Sequence, residues 1–386
     1  MGAFPRFTVS TAASSILLLN SVTTVCADES APSDNYGFGG YIKFDAMFSE
    51  YSDGQLTSDS HGSQFYIPAK IPIGGAGDSA TTFQARESRI SFKSNHMLAN
   101  AKKASTFIEV DFFLGPGGDE RVSNSYEPRL RHAFFTYDKW LFGQTWSTFQ
   151  DIGALPDNLD FIGPAESTVF VRQAQIRYTS GPFEFAAENP ETTLTPYGES
   201  GRIIGRDGMP DFVARYTARI GEGYIKAAGM VRELKSATLA PDESEFGYGL
   251  SISGKHPVGD DDVRWMATYG SGTGRYLGLN TANGASLDSN GSLEAIDQFG
   301  AFVSYRHMWN DKYWSNITYG FLQNDHNLTL TSTDVTKDVT SVHLNLQYAP
   351  VPEMMIGAEI LFAKRNLESG ASGDMARFIL SAKYVF

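Results

Sequence analysis

The chain has 386 residues, among them 38 glycines, 18 tyrosines, 27 phenylalanines and one cysteine, and its formal charge at pH 7 is -13. That charge argues against nucleic-acid binding, and a single thiol excludes a disulfide framework. Mean hydropathy is negative, and past the first thirty residues no apolar run approaches the roughly 18 residues that a membrane helix needs.

In chain order, the first element reads as an address label. Arg6 supplies a short positive region, ILLLNSV (16–22) an apolar stretch, and Val25-Cys26-Ala27 a small-residue cleavage site before Asp28. Residues 1–27 are therefore expected to be a signal peptide that is cleaved, taking the lone cysteine with it. Val25 is a poor residue ahead of a lipidation site, which disfavours a lipid anchor. Residues 28–36 are expected as a short periplasmic segment, and 37–386 as the folded body.

That body repeats one pattern. In GGYIKFDAMF (39–48), Ile42, Phe44, Ala46 and Phe48 oppose Tyr41, Lys43 and Asp45; in TFIEVDFF (106–113), Ile108, Val110 and Phe112 oppose Glu109 and Asp111. YIKAAGMVR (224–232) sets Ile225, Ala227 and Val231 against Lys226 and Arg232. The same uncharged outward row recurs at Phe246 to Ile252, Val263 to Tyr269, Ile317 to Phe321, Val342 to Tyr348 and Ile356 to Phe362, and in the closing RFILSAKYVF (377–386). A soluble β-sandwich also alternates. These segments, however, run about ten to thirteen residues against about five or six for an average soluble strand, the length a tilted strand needs to cross a bilayer.

The connections have two kinds. Short turns at TSGP (179–182), IGEG (220–223), KHPVGDD (255–261), WNDK (309–312) and APVPE (349–353) alternate with long polar stretches at 52–81, 191–210, 271–294 and 326–337. This asymmetry is that of an outer-membrane barrel. Tyr137, Trp140, Tyr178, Phe183, Tyr224, Trp309, Tyr313, Tyr348, Tyr384 and Phe386 border the short turns and are expected to form an interfacial belt. The expected fold is all-β: a transmembrane antiparallel β-barrel of about sixteen strands, closed where Phe386 meets the first strand. Such a cylinder is wide enough to hold an aqueous channel.

One connection departs from the rest. Residues 147–170, STFQDIGALPDNLDFIGPAESTVF, carry Asp151, Asp157, Asp160 and Glu166, no lysine or arginine, and the apolar Phe149, Ile152, Leu155, Leu159, Phe161 and Ile162. Folding back into the barrel as a constriction loop would bury the apolar set; a surface lid or a subunit contact is the alternative. The loop follows the fifth strand.

The run RLRHAFFTYDKWLFGQTWSTFQDIGALPDNLDFIGPAESTVFVRQAQIRY (129–178), with ARESRISF (85–92) and FIEVDFF (107–113), resembles the DcaP-like family of trimeric outer-membrane porins, most specifically in GQTWSTF and RQAQIRY. The resemblance implies a sixteen-stranded barrel, a homotrimer, and a preference for small anionic solutes such as dicarboxylates and aromatic acids. Independently, the alternating apolar end RFILSAKYVF (377–386) looks like the C-terminal signature by which the barrel-assembly machinery recognises outer-membrane proteins. The best-known member of that family carries a helical, coiled-coil extension ahead of its barrel; only DESAPSDN (28–35) separates the expected cleavage site from the first strand here, so no such stalk is expected.

By parity Arg89, Arg129, Arg131, Arg177, Arg215, Lys226, Arg232, Arg264, Arg365 and Arg377 face the lumen, while loop 147–170 supplies carboxylates. Opposed charge rows across a narrowing orient dipolar solutes, and arginine rows favour anions. The pore-lining candidates are thus Arg89, Arg131, Arg129, Arg177, Arg215, Glu109, Asp111, Asp151, Asp157, Asp160 and Glu166, with Arg89 and Arg131 foremost. For each arginine the competing account is a structural salt bridge to a neighbour such as Glu87, Glu109 or Asp111. Arg172 breaks the parity of Arg177 and is placed at the loop root.

Other signals carry little chemistry. GSGTGRYLG (270–278) lacks the following Lys-Ser or Lys-Thr of a phosphate loop, and a mobile external loop is the better account. GDDDV (259–263) is expected to stay solvated rather than bind calcium, and the seven histidines show no metal spacing. Ser341 with His343, and Ser304 with His307, offer nucleophile and base for an outer-membrane enzyme, but neither shows a third member. No plug domain of a TonB-type transporter precedes the first strand. The expectation is a porin of the Gram-negative outer membrane, with no catalytic role, cofactor or metal. Its partners would be outer-membrane lipid, two further copies of itself and small anionic solutes. An enzyme or a non-conducting adhesin barrel is the rival.

Overall fold

The computed structural model describes residues 35–56, 60–114, 123–236 and 243–386. Among them, sixteen strand positions close one antiparallel barrel. They are β1 (Asn35–Tyr51), β2 (Asp78–Gln84 with Arg89–Met97), β3 (Lys103–Asp111), β4 (Arg129–Tyr137), β5 (Trp140–Trp146), β6 (Arg172–Ser180), β7 (Phe183–Glu188) and β8 (Asp211–Ile220). Next come β9 (Gly223–Lys235), β10 (Ser244–Val258), β11 (Asp261–Ser271), β12 (Asp297–Asn310), β13 (Tyr313–Asp325), β14 (Thr336–Tyr348), β15 (Met354–Leu367) and β16 (Ser372–Val385). β2 is one strand interrupted at 85–88, since both of its halves pair with β1. The proposed leader, with Cys26, lies outside the described residues.

β1 and β16 close the cylinder, from Tyr41 opposite Val385 to Tyr51 opposite Met375. Beyond that ladder Gly40 and Phe386 exchange backbone hydrogen bonds of 3.2 and 3.1 Å, so the last residue seals the seam. Closure matters because lipid cannot satisfy an open edge.

Alternation sorts the two faces. On β14, Val342, Leu344 and Leu346 are exposed while Ser341, His343, Asn345 and Gln347 are buried; on β15, Ile356, Ile360 and Phe362 are outside and Glu359 inside. Such a continuous apolar exterior would aggregate in water and is stable where hydrocarbon is the solvent. Two-residue hairpins join strands at one end, with Asp138, Gly181, Gly221 and Gly259 at φ of 54, 58, 57 and 64°, the left-handed geometry that tight β-turns demand.

At that end Trp140 meets Tyr178 at 4.8 Å between ring centroids and Tyr313 meets Tyr348 at 4.4 Å, while Trp309, Tyr384 and Phe386 are exposed. Tyr224 is a correction: its hydroxyl reaches Asp151 Oδ1 at 3.3 Å inside the barrel. Tyr224 shares the parity of Lys226, and a wall residue near a turn still obeys the two-residue period.

The lumen is narrowed by more than the expected loop. Loop 1 (52–77) brings Phe65, Tyr66 and Ile71 against Phe113 of loop 2 and Ile162 of loop 3 (147–171). Loop 6 (272–296) brings Tyr276 and Leu277 against Phe149, Val169, Phe302 and Leu322. Residues 270–278 are thus no external loop: Tyr276 and Leu277 are fully buried, because two large apolar groups following a glycine-rich bend gain more from the interior than from water.

Wall glycines let the loops sit flush. A Cβ on Gly320 would lie 2.7 Å from Pro164 Cβ, and one on Gly249 would lie 2.9 Å from the Phe149 ring.

Candidate functional site

Loop 3 crosses the interior, and each of its carboxylates is held by different partners, three by the wall and one by loop 1. Asp151 accepts from Lys226 Nζ at 2.6 Å and Ser253 Oγ at 2.8 Å. Asp157 takes both terminal nitrogens of Arg264 at 3.0 Å, and Arg306 Nη1 at 3.3 Å. Asp160 accepts the Tyr66 backbone N–H of loop 1 at 2.9 Å, and Glu166 accepts from Ser341 Oγ at 2.7 Å. Burial opposes ionisation of Asp157, but the guanidiniums of Arg264 and Arg306 overcome it and hold its carboxyl below the ordinary range. At Asp160 and Glu166 burial prevails and raises both carboxyls.

The wall reciprocates at Glu359. Its carboxylate accepts from the backbone N–H groups of Leu159 at 2.6 Å and Asp160 at 3.3 Å, from Asn345 Nδ2 at 3.0 Å, and lies 3.1 Å from His343 Nδ1. His343 Nε2 in turn lies 3.3 Å from Ser341 Oγ. Glu359 is thus the third member that the sequence did not reveal beside Ser341 and His343, because it lies on the neighbouring strand. The chain of contacts resembles a nucleophile, a base and an orienting acid. Two features oppose catalysis: Ser341 donates its hydroxyl to Glu166, and Ser341, His343 and Glu359 are almost fully buried beneath loop 3. These residues clasp the loop.

The arginines divide into two groups. Arg89, Arg129, Arg131, Glu109 and Asp111 form one network on β2 to β4. Arg131 Nε donates to Glu109 at 2.6 Å and its Nη1 to Asp111 at 2.8 Å; Arg129 grips Asp111 through two bonds of 2.8 and 2.7 Å; Arg89 lies 3.7 Å from Glu109. Pairing skips Arg131, with Glu109 opposite His132 and Val110 opposite Leu130, a β-bulge that turns an extra side chain inward.

Arg177 and Arg215 lie elsewhere and share Glu184, at 3.6 and 2.7 Å. Both also donate to backbone carbonyls at the roots of loop 3, Arg177 to Trp146 at 2.5 Å and Arg215 to Gln150 at 2.7 Å. Arg232, Arg264, Arg365 and Arg377 act similarly, donating to carbonyls of Glu191, Leu155, Ala69 and Gly62 at 2.8, 2.7, 3.0 and 2.8 Å. A guanidinium presents five donors in a rigid fork, which suits it to hold a strand and a loop together.

Asp261 and Asp262 of the GDDDV turn are likewise engaged, the first by Met308 N at 2.8 Å and the second by Arg264 at 2.7 Å. Among the described residues no cluster of metal-ligating side chains occurs.

A closed sixteen-position cylinder with an apolar exterior, an interfacial belt and a charged, loop-filled interior defines a transmembrane β-barrel of the outer-membrane kind. The sequence profile of the DcaP outer membrane protein family matches residues 29–386, and the chain belongs to that family. Among solved structures, the outer membrane channel DcaP of Acinetobacter baumannii is similar at a TM-score of 0.76 and 24% identity, over 92% of this chain and 97% of that one. The anion-selective porin from Comamonas acidovorans is similar at 0.59 and 9%, over 92% and 100%. In-vitro folded OmpT of Vibrio cholerae in its trimer form is similar at 0.54 and 13%, over 92% and 100%. These likenesses show the fold. No curated protein matches the chain.

Proposed function

We propose that the protein is a diffusion porin that passes small hydrophilic solutes across the outer membrane with a mild preference for anions such as dicarboxylates. The observation that carries this reading is the arginine network of β2 to β4, which faces the interior of a barrel whose exterior rows are uncharged. Cations fixed on one wall in a low-dielectric cylinder raise the local concentration of anions. The net charge of -13 does not oppose this, since carboxylates on external loops lie far from the lumen and are screened within about 8 Å. Loop 3 acts as the constriction, assembly is as a homotrimer, and the leader at 1–27 directs export through the periplasm to the barrel-assembly machinery. The protein is not an enzyme in this reading, since Ser341 is covered and its hydroxyl committed.

The test is single-channel recording of purified protein in planar lipid bilayers across a potassium chloride gradient. Stepwise conductance with a reversal potential displaced toward chloride is expected. Absence of steps would remove the channel, and a displacement toward potassium would remove the anion preference.

A further inference from the structure

One row of side chains descends the wall from the long-loop end to the short-turn end, alternating cation and ring. Arg172, the first residue of β6, lies over Trp146 at 4.5 Å; Trp146 lies 5.7 Å from Arg131; Arg131 lies 5.6 Å from Phe161. Phe161 lies 5.9 Å from Arg89, Arg89 lies 5.1 Å from Tyr41, and Tyr41 lies 5.1 Å from Lys383. The row runs from a residue beside loop 3 to one paired near the C-terminus, so it spans the constriction. Arg131 and Arg89 share Glu109, whereas Arg172 and Lys383, at its two ends, carry no ion pair among the described residues.

Two atoms in the row are buried donors with no hydrogen-bond partner, Arg172 Nη1 and Arg89 Nε. An unsatisfied buried donor is unfavourable, and a guanidinium beside other guanidiniums adds repulsion. Such an arrangement persists where something else supplies the missing acceptor. Stacking on rings holds each cation without consuming its donors, because the ring face takes the charge and leaves the edge free. Arg365 differs in committing its Nε to Thr336 Oγ1 at 2.9 Å and its Nη1 to the carbonyls of Ala69 and Ile71 at 3.0 and 3.1 Å, and among the described residues it lies over no ring.

We propose that Arg172, Arg131, Arg89 and Lys383 form a track of anion-binding rungs separated by aromatic spacers, with Arg172, outside the motif-derived candidates, as its first specificity-determining rung. This deepens the porin reading and rests on it. A carboxylate leaving water at the long-loop end meets the half-buried Arg172 and then Arg89, with the enclosed Arg131 adding its field from behind, and is released toward Lys383. Rungs neutralised in the middle and bare at both ends keep any one stop from binding too tightly to leave.

The test compares Arg172→Met and Lys383→Met with Arg365→Gln, all three removing one lumen cation. In a potassium chloride gradient the chloride-to-potassium permeability ratio is expected to fall about fivefold in each track variant, the effect of one unit charge acting at about 4 Å in water. Arg365→Gln is expected to keep the wild-type ratio, and succinate block is expected to be lost in Arg172→Met alone of the long-loop-end changes. An equal fall in all three overturns the track, since only total charge would then matter. Calorimetric titration of the detergent-solubilised protein with succinate reads the site without requiring current. Heat lost in Arg172→Met and kept in Arg365→Gln supports the site even where the wild type conducts nothing and the porin reading fails. Equal heats overturn it.

Discussion

Replacing Glu359 by glutamine preserves shape and removes the charge that fixes the middle of loop 3. The carboxylate accepts four contacts: two loop N–H groups at 2.6 and 3.3 Å, Asn345 at 3.0 Å and His343 at 3.1 Å. An amide keeps one acceptor oxygen and turns an NH2 group toward at least one of the loop donors. A charge-assisted bond contributes about 1.5–3 kcal/mol and an unpaired buried N–H costs a comparable amount. A loss of about 3 kcal/mol from this attachment corresponds to a roughly hundredfold larger population of the released loop. The barrel itself should survive, since Asp157 remains bound to Arg264 and Glu166 to Ser341. The assay combines single-channel recording with a nitroxide at Leu155: Glu359→Gln should show frequent excursions to a higher conductance and a mobile label. Wild-type traces together with an unchanged spectrum would refute the clasp.

Three further changes probe separate parts of the argument. Leu344→Arg puts a cation on the lipid face, where it costs about 2–4 kcal/mol near the midplane, so the yield of heat-modifiable folded barrel should drop sharply; undiminished yield would mean that this face does not touch hydrocarbon. Ser341→Ala removes one bond to loop 3 and should leave the barrel folded, with no lipid hydrolysis to abolish; a hydrolytic activity lost with it would restore the enzyme reading. Asp157→Asn leaves Arg264 and Arg306 with Asp262 as their one remaining carboxylate among the described residues, at 2.7 and 2.6 Å, and should raise the chloride preference at neutral pH. Because the carboxyl of Asp157 is held below the ordinary range, its ion pair persists above that range and is lost only as pH falls through the lowered value, so the wild type should reach the mutant's selectivity only in strong acid.

The barrel was legible in the sequence because its code is local. Outward rows such as Val342, Leu344 and Leu346 need only their own strand to be recognised, and membrane hydrocarbon tolerates no charge among them. The inward third loop was legible for the same reason, through apolar residues with no surface to cover. What the sequence concealed depends on partners far along the chain. Arg365 reads like Arg89 by parity, yet one holds carbonyls of Ala69 and Ile71 nearly 300 positions away and the other leans on a ring. Glu359 became the acid beside His343 only once β14 and β15 paired. The apolar FYIPAKIPI of residues 65–73 and the inward glycines were signals for the extra folded-in loop, but a glycine opposite nothing and a glycine opposite Pro164 look alike in one dimension.

Parity therefore assigns a cation to the lumen, and its remaining donors decide what it does there. A guanidinium that donates to loop carbonyls has its charge partly spread over fixed dipoles and serves as a fastener; Arg232 and Arg365 are of this kind. One whose plane rests on a ring while an edge nitrogen stays unpaired keeps its field for whatever enters. Both kinds are needed in the same cylinder, because loops that narrow a passage must be held against thermal release by several bonds each, while the passage itself must bind weakly at every stop. Ring support and loop fastening coexist, since Arg232 lies 5.4 Å from the Tyr276 ring while holding the Glu191 carbonyl; what sets Arg172 and Lys383 apart is that, among the described residues, neither side chain makes an ion pair or a hydrogen bond while each lies over a ring.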